Sequence, residues 1–172
     1  MAICFELVVN FGDDLEAAKA AALIDRWPYV LSAGAHRIPL HRPMLRTDES
    51  YVEVSILPVG VGYGVLADGS LRRRFPLTAA ELTELGHQLY QLLARFDGYI
   101  AAKVGWDPES LLDLDDLKSD CAEELRDGTF DGLVLSEQFH AELNLGDDYV
   151  EFQPGYRWIP YRGEKPGSLT AD

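Results

Sequence analysis

The sequence has little cysteine and no long run of apolar residues. Only two cysteines, Cys4 and Cys121, occur among its 172 residues. A disulfide-stapled secreted domain needs several, so free thiols in a reducing compartment are expected. The first ten residues include no basic side chain, and Glu6 interrupts their apolar run, which argues against a secretory signal. No stretch approaches the length of a membrane-spanning helix, so a cytoplasmic protein without a membrane partner is predicted.

The usual motifs of catalysis and metal binding are also missing. The sequence contains no Gly-x-Ser-x-Gly, no His-Glu-x-x-His and no Cys-x-x-Cys. The glycine-rich stretch 60–64 precedes a predicted strand and turn, whereas a phosphate-binding loop needs the N-terminus of a helix there. We therefore expect no metal, no cofactor and no catalytic residue, and an enzyme is the less favoured class.

Basic residues are scarce in the last part of the chain. Residues 1–106 carry 10 Lys and Arg against 12 Asp and Glu, whereas residues 107–172 carry 5 against 17. Nearly all of the net charge of −14 therefore belongs to the C-terminal two-fifths. Nucleic acids and anionic membrane surfaces attract basic proteins, so neither is an expected partner, whereas a basic protein suits the sign of the charge.

What is present predicts one α+β domain. The length suits a single core, and 47% apolar residues are enough to build it. The pattern favours a mixed or largely antiparallel sheet of about five to seven strands, with three to four helices packed mainly on one face. Residues 1–161 are expected to form the domain, and residues 162–172, which are almost devoid of apolar side chains, a flexible C-terminal tail.

Several segments have clear local signals. Residues 3–11 form a dense apolar run that predicts a mostly buried strand. Residues 51–57 alternate, which predicts a half-buried strand whose polar side chains, such as Glu53, point outward. Asp68-Gly69 predicts a hairpin turn. Thr78 and Glu81 form a capping box before a leucine stripe, which predicts the clearest helix.

The strongest functional signal is a row of acids late in the chain. Asp107 and Pro108 predict the start of a helix, on which six acids recur three and four residues apart and would share one face. The opposite face would carry an apolar stripe that includes Leu117 and Leu125. The six acids are Asp113, Asp116, Asp120, Glu123, Glu124 and Asp127. Like charges at this spacing repel, so selection for stability alone would be expected to intersperse more lysine. The alternatives are a docking surface for a basic partner, an ordinary solvated face and a divalent-cation site.

Aromatic residues follow the acidic row. Five occur between Tyr149 and Tyr161, and three of them, Tyr156, Trp158 and Tyr161, are predicted to lie on a binding surface. Rings are preferred anchors of protein interfaces, and next to an acidic helix they would supply affinity. The alternative is a terminal strand pair whose rings pack on the core.

Three functions from different classes remain open. The first is a non-enzymatic module that docks a basic protein, for example an immunity or inhibitor protein against a nuclease-like toxin. The second is a small enzyme for an anionic or phosphorylated substrate, which would use His36, His41, Arg42 and the run Arg72–Arg74. The third is a scaffold or homo-oligomer subunit.

Overall fold

The structure, a computed structural model, describes residues 3–23, 30–48, 51–63 and 74–172. Its strands are β1 (Ile3–Asn10), β2 (Val30–Ala33), β3 (His36–Pro39), β4 (Met44–Thr47), β5 (Val52–Ile56), β6 (Gly62–Tyr63), β7 (Ala101–Trp106), β8 (Val134–Ser136), β9 (Val150–Gln153) and β10 (Tyr156–Trp158). Its helices are α1 (Leu15–Ala22), α2 (Ala79–Leu93), α3 (Leu114–Lys118), α4 (Ala122–Arg126) and α5 (Glu137–Glu142), with a 3₁₀ helix at Pro108–Leu111.

The described strands form an eight-stranded sheet and a small separate hairpin of β2 and β3. The order of the large sheet is β4-β5-β1-β7-β8-β10-β9, and β6 pairs with the start of β1. Every pairing between these strands is antiparallel. The α+β class with a largely antiparallel sheet is therefore confirmed. The apolar strand β1 lies near the middle, as its nearly complete burial requires.

Helices cover both faces of this sheet, whereas the sequence pattern predicted them mainly on one face. Leu7 and Val9 of β1 pack in one core cluster with the leucines of α2 and with Ala18 of α1. Val8 points the opposite way and packs in a second cluster with leucines and a phenylalanine from α3, α4 and α5. Successive side chains of a strand alternate, so a strand whose apolar side chains point both ways needs cover on both sides.

Local capping signals in the sequence are present in the structure. The Thr78 hydroxyl accepts from the Glu81 amide, and the Glu81 carboxylate accepts from the Thr78 amide, which completes the predicted capping box of α2. Asp14 caps α1 and Ser136 caps α5 through their side-chain oxygens. These bonds satisfy amides that have no partner within the helix.

The predicted acidic helix is two short helices joined by a turn. Asp107 does not cap the 3₁₀ helix through its side chain and has a left-handed backbone with φ of 43°. Asp113 instead caps α3, which ends at Lys118, and α4 begins at Ala122. The amide of Cys121 reaches back to the Asp116 carbonyl at 2.9 Å. The prediction of one continuous acidic face is therefore wrong, because the chain turns between the two helices.

Strand β5 is buried on both faces, so the prediction of a half-buried strand is also wrong. Glu53 is 3% exposed and Ser55 is 1% exposed, although they alternate with valine and isoleucine as the sequence suggested. Two segments cover the side of β5 that was expected to face solvent. They are the 3₁₀ helix, which packs against the adjoining strands β1 and β7, and the start of α3.

Residues 162–172, predicted to be a flexible tail, make specific contacts with α2. The Glu164 amide donates to the Thr83 hydroxyl at 2.8 Å, and the Asp172 carboxylate accepts from the Ala79 amide at 3.0 Å. The predicted hairpin turn at Asp68-Gly69 lies outside the described residues. In the part of the chain that is described, no helix is both long enough and apolar enough to cross a bilayer.

Candidate functional site

The structure places the six acids of the predicted docking face around α3 and α4. Asp116 lies in α3, Asp120 in the turn, and Asp127 just after α4, and all three are exposed. Asp113 is partly buried, and its carboxylate accepts from the amides of Asp115 and Asp116. These six residues, Asp113, Asp116, Asp120, Glu123, Glu124 and Asp127, are called the acidic surface below.

The carboxylates of the acidic surface are not paired with basic side chains of the described residues. Among the described residues, no lysine or arginine lies within ion-pair distance of any of its six carboxylates. The nearest basic residue along α3, Lys118, pairs instead with Glu142 of α5 at 2.8 Å. Underneath, Leu117 and Leu125 are buried, as the predicted stripe required. The two helices are thus held by buried leucines, and their acids have no ion-pair partner within the described residues.

The predicted rings do not join this surface. Tyr156 is 6% exposed and stacks on Tyr99 with ring centroids 4.0 Å apart. Tyr161 is 9% exposed and packs on Tyr90 of α2, as does the partly buried Trp158. All three rings belong to the core cluster on the α2 face, whereas the leucines beneath the acidic surface belong to the opposite cluster. The alternative in which these rings pack on the core is the one that the structure shows.

A second group of charged residues comes together at the β4–β5–β1 side of the sheet. Glu6 of β1 and Glu53 of β5 are 5% and 3% exposed. Arg46 of β4 is the direct cross-strand neighbour of Glu53, and its guanidinium forms an ion pair with Glu109 of the 3₁₀ helix. We call Glu6, Glu53, Glu109 and Arg46 the carboxyl cluster.

Burial changes the acidity of this cluster. Loss of solvent, together with the negative charge of Glu109, raises the pKa of Glu6 to about 7. Burial raises the pKa of Glu53 to about 7 as well, although the guanidinium of Arg46 opposes the change. Burial and the neighbouring Glu6 raise the pKa of the Cys4 thiol to about 11. Two carboxyl groups thus exchange protons near neutral pH, and the thiol stays protonated.

Those residues of the enzyme alternative that the structure describes do not line one common cavity. His36 contacts the ring edge of Phe75 at 5.4 Å between centroids, and Arg42 is exposed. A cavity of about 70 Å³ is lined by Arg74 and by apolar residues such as Trp106, but by neither His36, His41 nor Arg42. Arg72 and Arg73 lie outside the described residues.

The carboxyl cluster was not predicted from the sequence. One signal was available, because Glu6 is a lone charge inside an apolar run that was itself predicted to be buried. For Glu53 the alternation was misleading, since it indicates a solvent-facing side chain unless a distant segment covers it. Arg46 and Glu109 are 63 residues apart, and local patterns cannot pair them.

The described residues contain no group of three or more histidine, cysteine, aspartate or glutamate side chains arranged to hold a metal ion. Comparison of the chain with protein-family models, with curated proteins and with solved structures found no match.

Proposed function

We propose that this protein is a binding module that docks a basic protein through its acidic surface. The observation that carries the proposal is the absence of any compensating lysine or arginine at the six carboxylates, within the described residues. Such a field attracts a positively charged partner over about 10 Å at moderate salt and speeds its association. An inhibitor or immunity protein for a nuclease-like toxin is the specific form that suits this chemistry.

Affinity needs direct contacts besides the field, and the buried rings cannot supply them. Val150 of β9 is 46% exposed. It follows Tyr149, whose hydroxyl donates to the Leu125 carbonyl of α4 at 3.0 Å. Val150 nevertheless pairs across the strands with Trp158, which packs on the α2 face, so it points away from the acidic surface. We therefore expect the affinity to come mainly from charged hydrogen bonds between the six carboxylates and the basic partner.

The test begins with capture of partners from an extract of the native host, eluted by a salt gradient, followed by measurement of the association rate constant. We expect the rate constant of the wild-type protein to fall tenfold or more between low and high salt. The triple variant Asp116→Lys, Asp120→Lys, Glu124→Lys should associate at least tenfold more slowly at low salt.

A matched control reverses three exposed charges elsewhere, Asp13→Lys, Glu16→Lys and Asp97→Lys, and changes the net charge by the same amount. It should keep most of the wild-type rate. Equal rates for wild type and both triple variants would show that the acidic surface does not guide docking.

A further inference from the structure

Strand β9 lies at one edge of the large sheet. Among the described strands, only β10 pairs with it, and its outer side is open. In an edge strand, every second residue directs its backbone N–H and C=O groups away from the sheet. Val150, the first residue of β9, is a large apolar side chain that remains exposed at this edge. The edge therefore offers backbone hydrogen-bonding groups together with an apolar contact.

The two faces of β9 differ in their chemistry. Val150 lies opposite Trp158, and Phe152 packs against the same core cluster as Trp158, so the side chains of Val150 and Phe152 share the α2 face. Tyr149 belongs to the opposite cluster. Glu151, two residues later, points to the same side as Tyr149 and is exposed. A strand added at this edge would thus meet apolar side chains on one face and a carboxylate on the other.

The charge at this edge is negative. Asp147 and Asp148, just before the strand, are exposed like Glu151, and none of the three forms an ion pair with a lysine or arginine of the described chain. Arg157, the cross-strand neighbour of Glu151, pairs instead with Glu137 of α5. A second copy of the chain on this edge would bring like charges together, which destabilises strand pairing, whereas a basic strand would be attracted. The charge therefore favours a basic occupant over a second copy.

The edge adjoins the acidic surface. The hydroxyl of Tyr149, the residue before β9, donates to the Leu125 carbonyl of α4, and α4 carries Glu123 and Glu124 of that surface. A partner that is drawn to the acidic surface therefore meets the open edge of β9 beside it.

We propose that β9 binds an extended segment of the basic partner, which pairs with it as a further strand of the sheet. The segment alternates basic and apolar residues, with its apolar side chains on Val150 and Phe152 and its basic side chains toward Glu151. Backbone hydrogen bonds hold such an added strand, and its alternate side chains give specificity. This inference rests on the proposed function, because it states how the same partner docks, and it adds backbone and apolar contacts to the charged ones.

The probe is a blocked hexapeptide in which lysine and valine alternate. It is titrated into the protein at about 0.15 M salt while the amide resonances of β9 are followed by NMR. The resonances of Val150 and Glu151 should shift saturably. The same peptide with methylated backbone nitrogens keeps every charge and side chain but cannot donate backbone hydrogen bonds, so it should bind at least tenfold more weakly. A hexapeptide that alternates glutamate and valine should give no saturable shift.

Variants of the protein locate the binding. Glu151→Lys reverses the charge at the edge and should weaken binding of the lysine–valine peptide at least fivefold. Glu123→Lys makes the same change of net charge at an exposed residue of α4 and should weaken binding less than twofold. The triple lysine variant of the acidic surface should still show the saturable shift at β9, since it leaves the edge unchanged.

These measurements separate this inference from the proposed function. A saturable shift at β9 that is lost on methylation supports strand addition, whatever the association rate constants of the acidic-surface variants. No saturable shift at Val150 and Glu151, or equal affinity for the methylated peptide, would overturn strand addition. The role of the acidic surface would then still be decided by its own rate constants.

Discussion

At the scale of single residues, the buried glutamates determine how stability depends on pH. A carboxyl group whose pKa is higher in the folded than in the unfolded protein binds more protons when folded. The pKa of Glu6 rises from an ordinary value of 4.5 to about 7. The contribution of Glu6 to the free energy of unfolding is therefore fully present below about pH 4.5, and it is lost as the pH rises through about 7.

We expect Glu6→Gln to stabilise the protein at pH 8 relative to wild type by roughly 1–3 kcal/mol, because the amide is never charged. Near pH 4.5 the two proteins should differ little. Urea unfolding at several pH values measures the difference. Exposed Glu151→Gln serves as a control and should show no such pH dependence. A glutamine variant that is less stable than wild type at pH 8 would contradict this account.

At the scale of elements, one tyrosine ties α2 to two neighbouring segments. The Tyr90 hydroxyl donates to the Gly132 carbonyl at 2.6 Å and accepts from the Val104 amide of β7 at 3.1 Å. Both bonds are buried, so their loss leaves two backbone groups without partners. Nothing in the local leucine pattern of α2 indicated this link, because its partners are 14 and 42 residues away.

Tyr90→Phe should therefore lower the free energy of unfolding by about 1–3 kcal/mol. The chain offers a matched comparison in Tyr99, whose hydroxyl is buried without a hydrogen bond. Tyr99→Phe removes the same atom but leaves no group unsatisfied, so it should be neutral or stabilising. Chemical denaturation measures the free energy of unfolding of both variants. Equal losses of stability would show that the hydrogen bonds of the Tyr90 hydroxyl do not stabilise the fold.

Local sequence patterns predicted the helix α2 correctly but not the break between α3 and α4. The cap and leucine stripe of α2 were predicted because both depend on residues three or four positions apart. The break between α3 and α4 was missed, since the apolar spacing continues through it. Leu117 is a buried residue of α3, and Leu125 is a buried residue of α4. The spacing of these leucines alone could not show the turn between the two helices.

At the scale of the whole molecule, the charge is uneven. The chain carries −14, and the acidic surface keeps its carboxylates unpaired among the described residues. Mutual repulsion should then oppose folding at low salt and weaken as salt shortens the Debye length from about 20 Å to about 4 Å.

We expect the urea midpoint of the wild-type protein to rise when sodium chloride is increased from about 0.02 to about 0.5 M. The triple lysine variant of the acidic surface should respond less, because its net charge is smaller and its repulsion partly relieved. Midpoints measured for both proteins across the salt series give the comparison. An equal response would mean that repulsion on this surface has no part in stability.

The sequence by itself determined the α+β class, the buried strand β1, the capped helix α2 and the concentration of charge near the C-terminus. Each of these depends on composition or on neighbours a few residues apart. Only the tertiary structure decided that the C-terminal rings and the acidic surface lie on opposite faces. It also decided that Glu53 is buried. The polar side of a strand becomes buried only when another segment packs on it, and the segment that packs on Glu53 lies far along the chain.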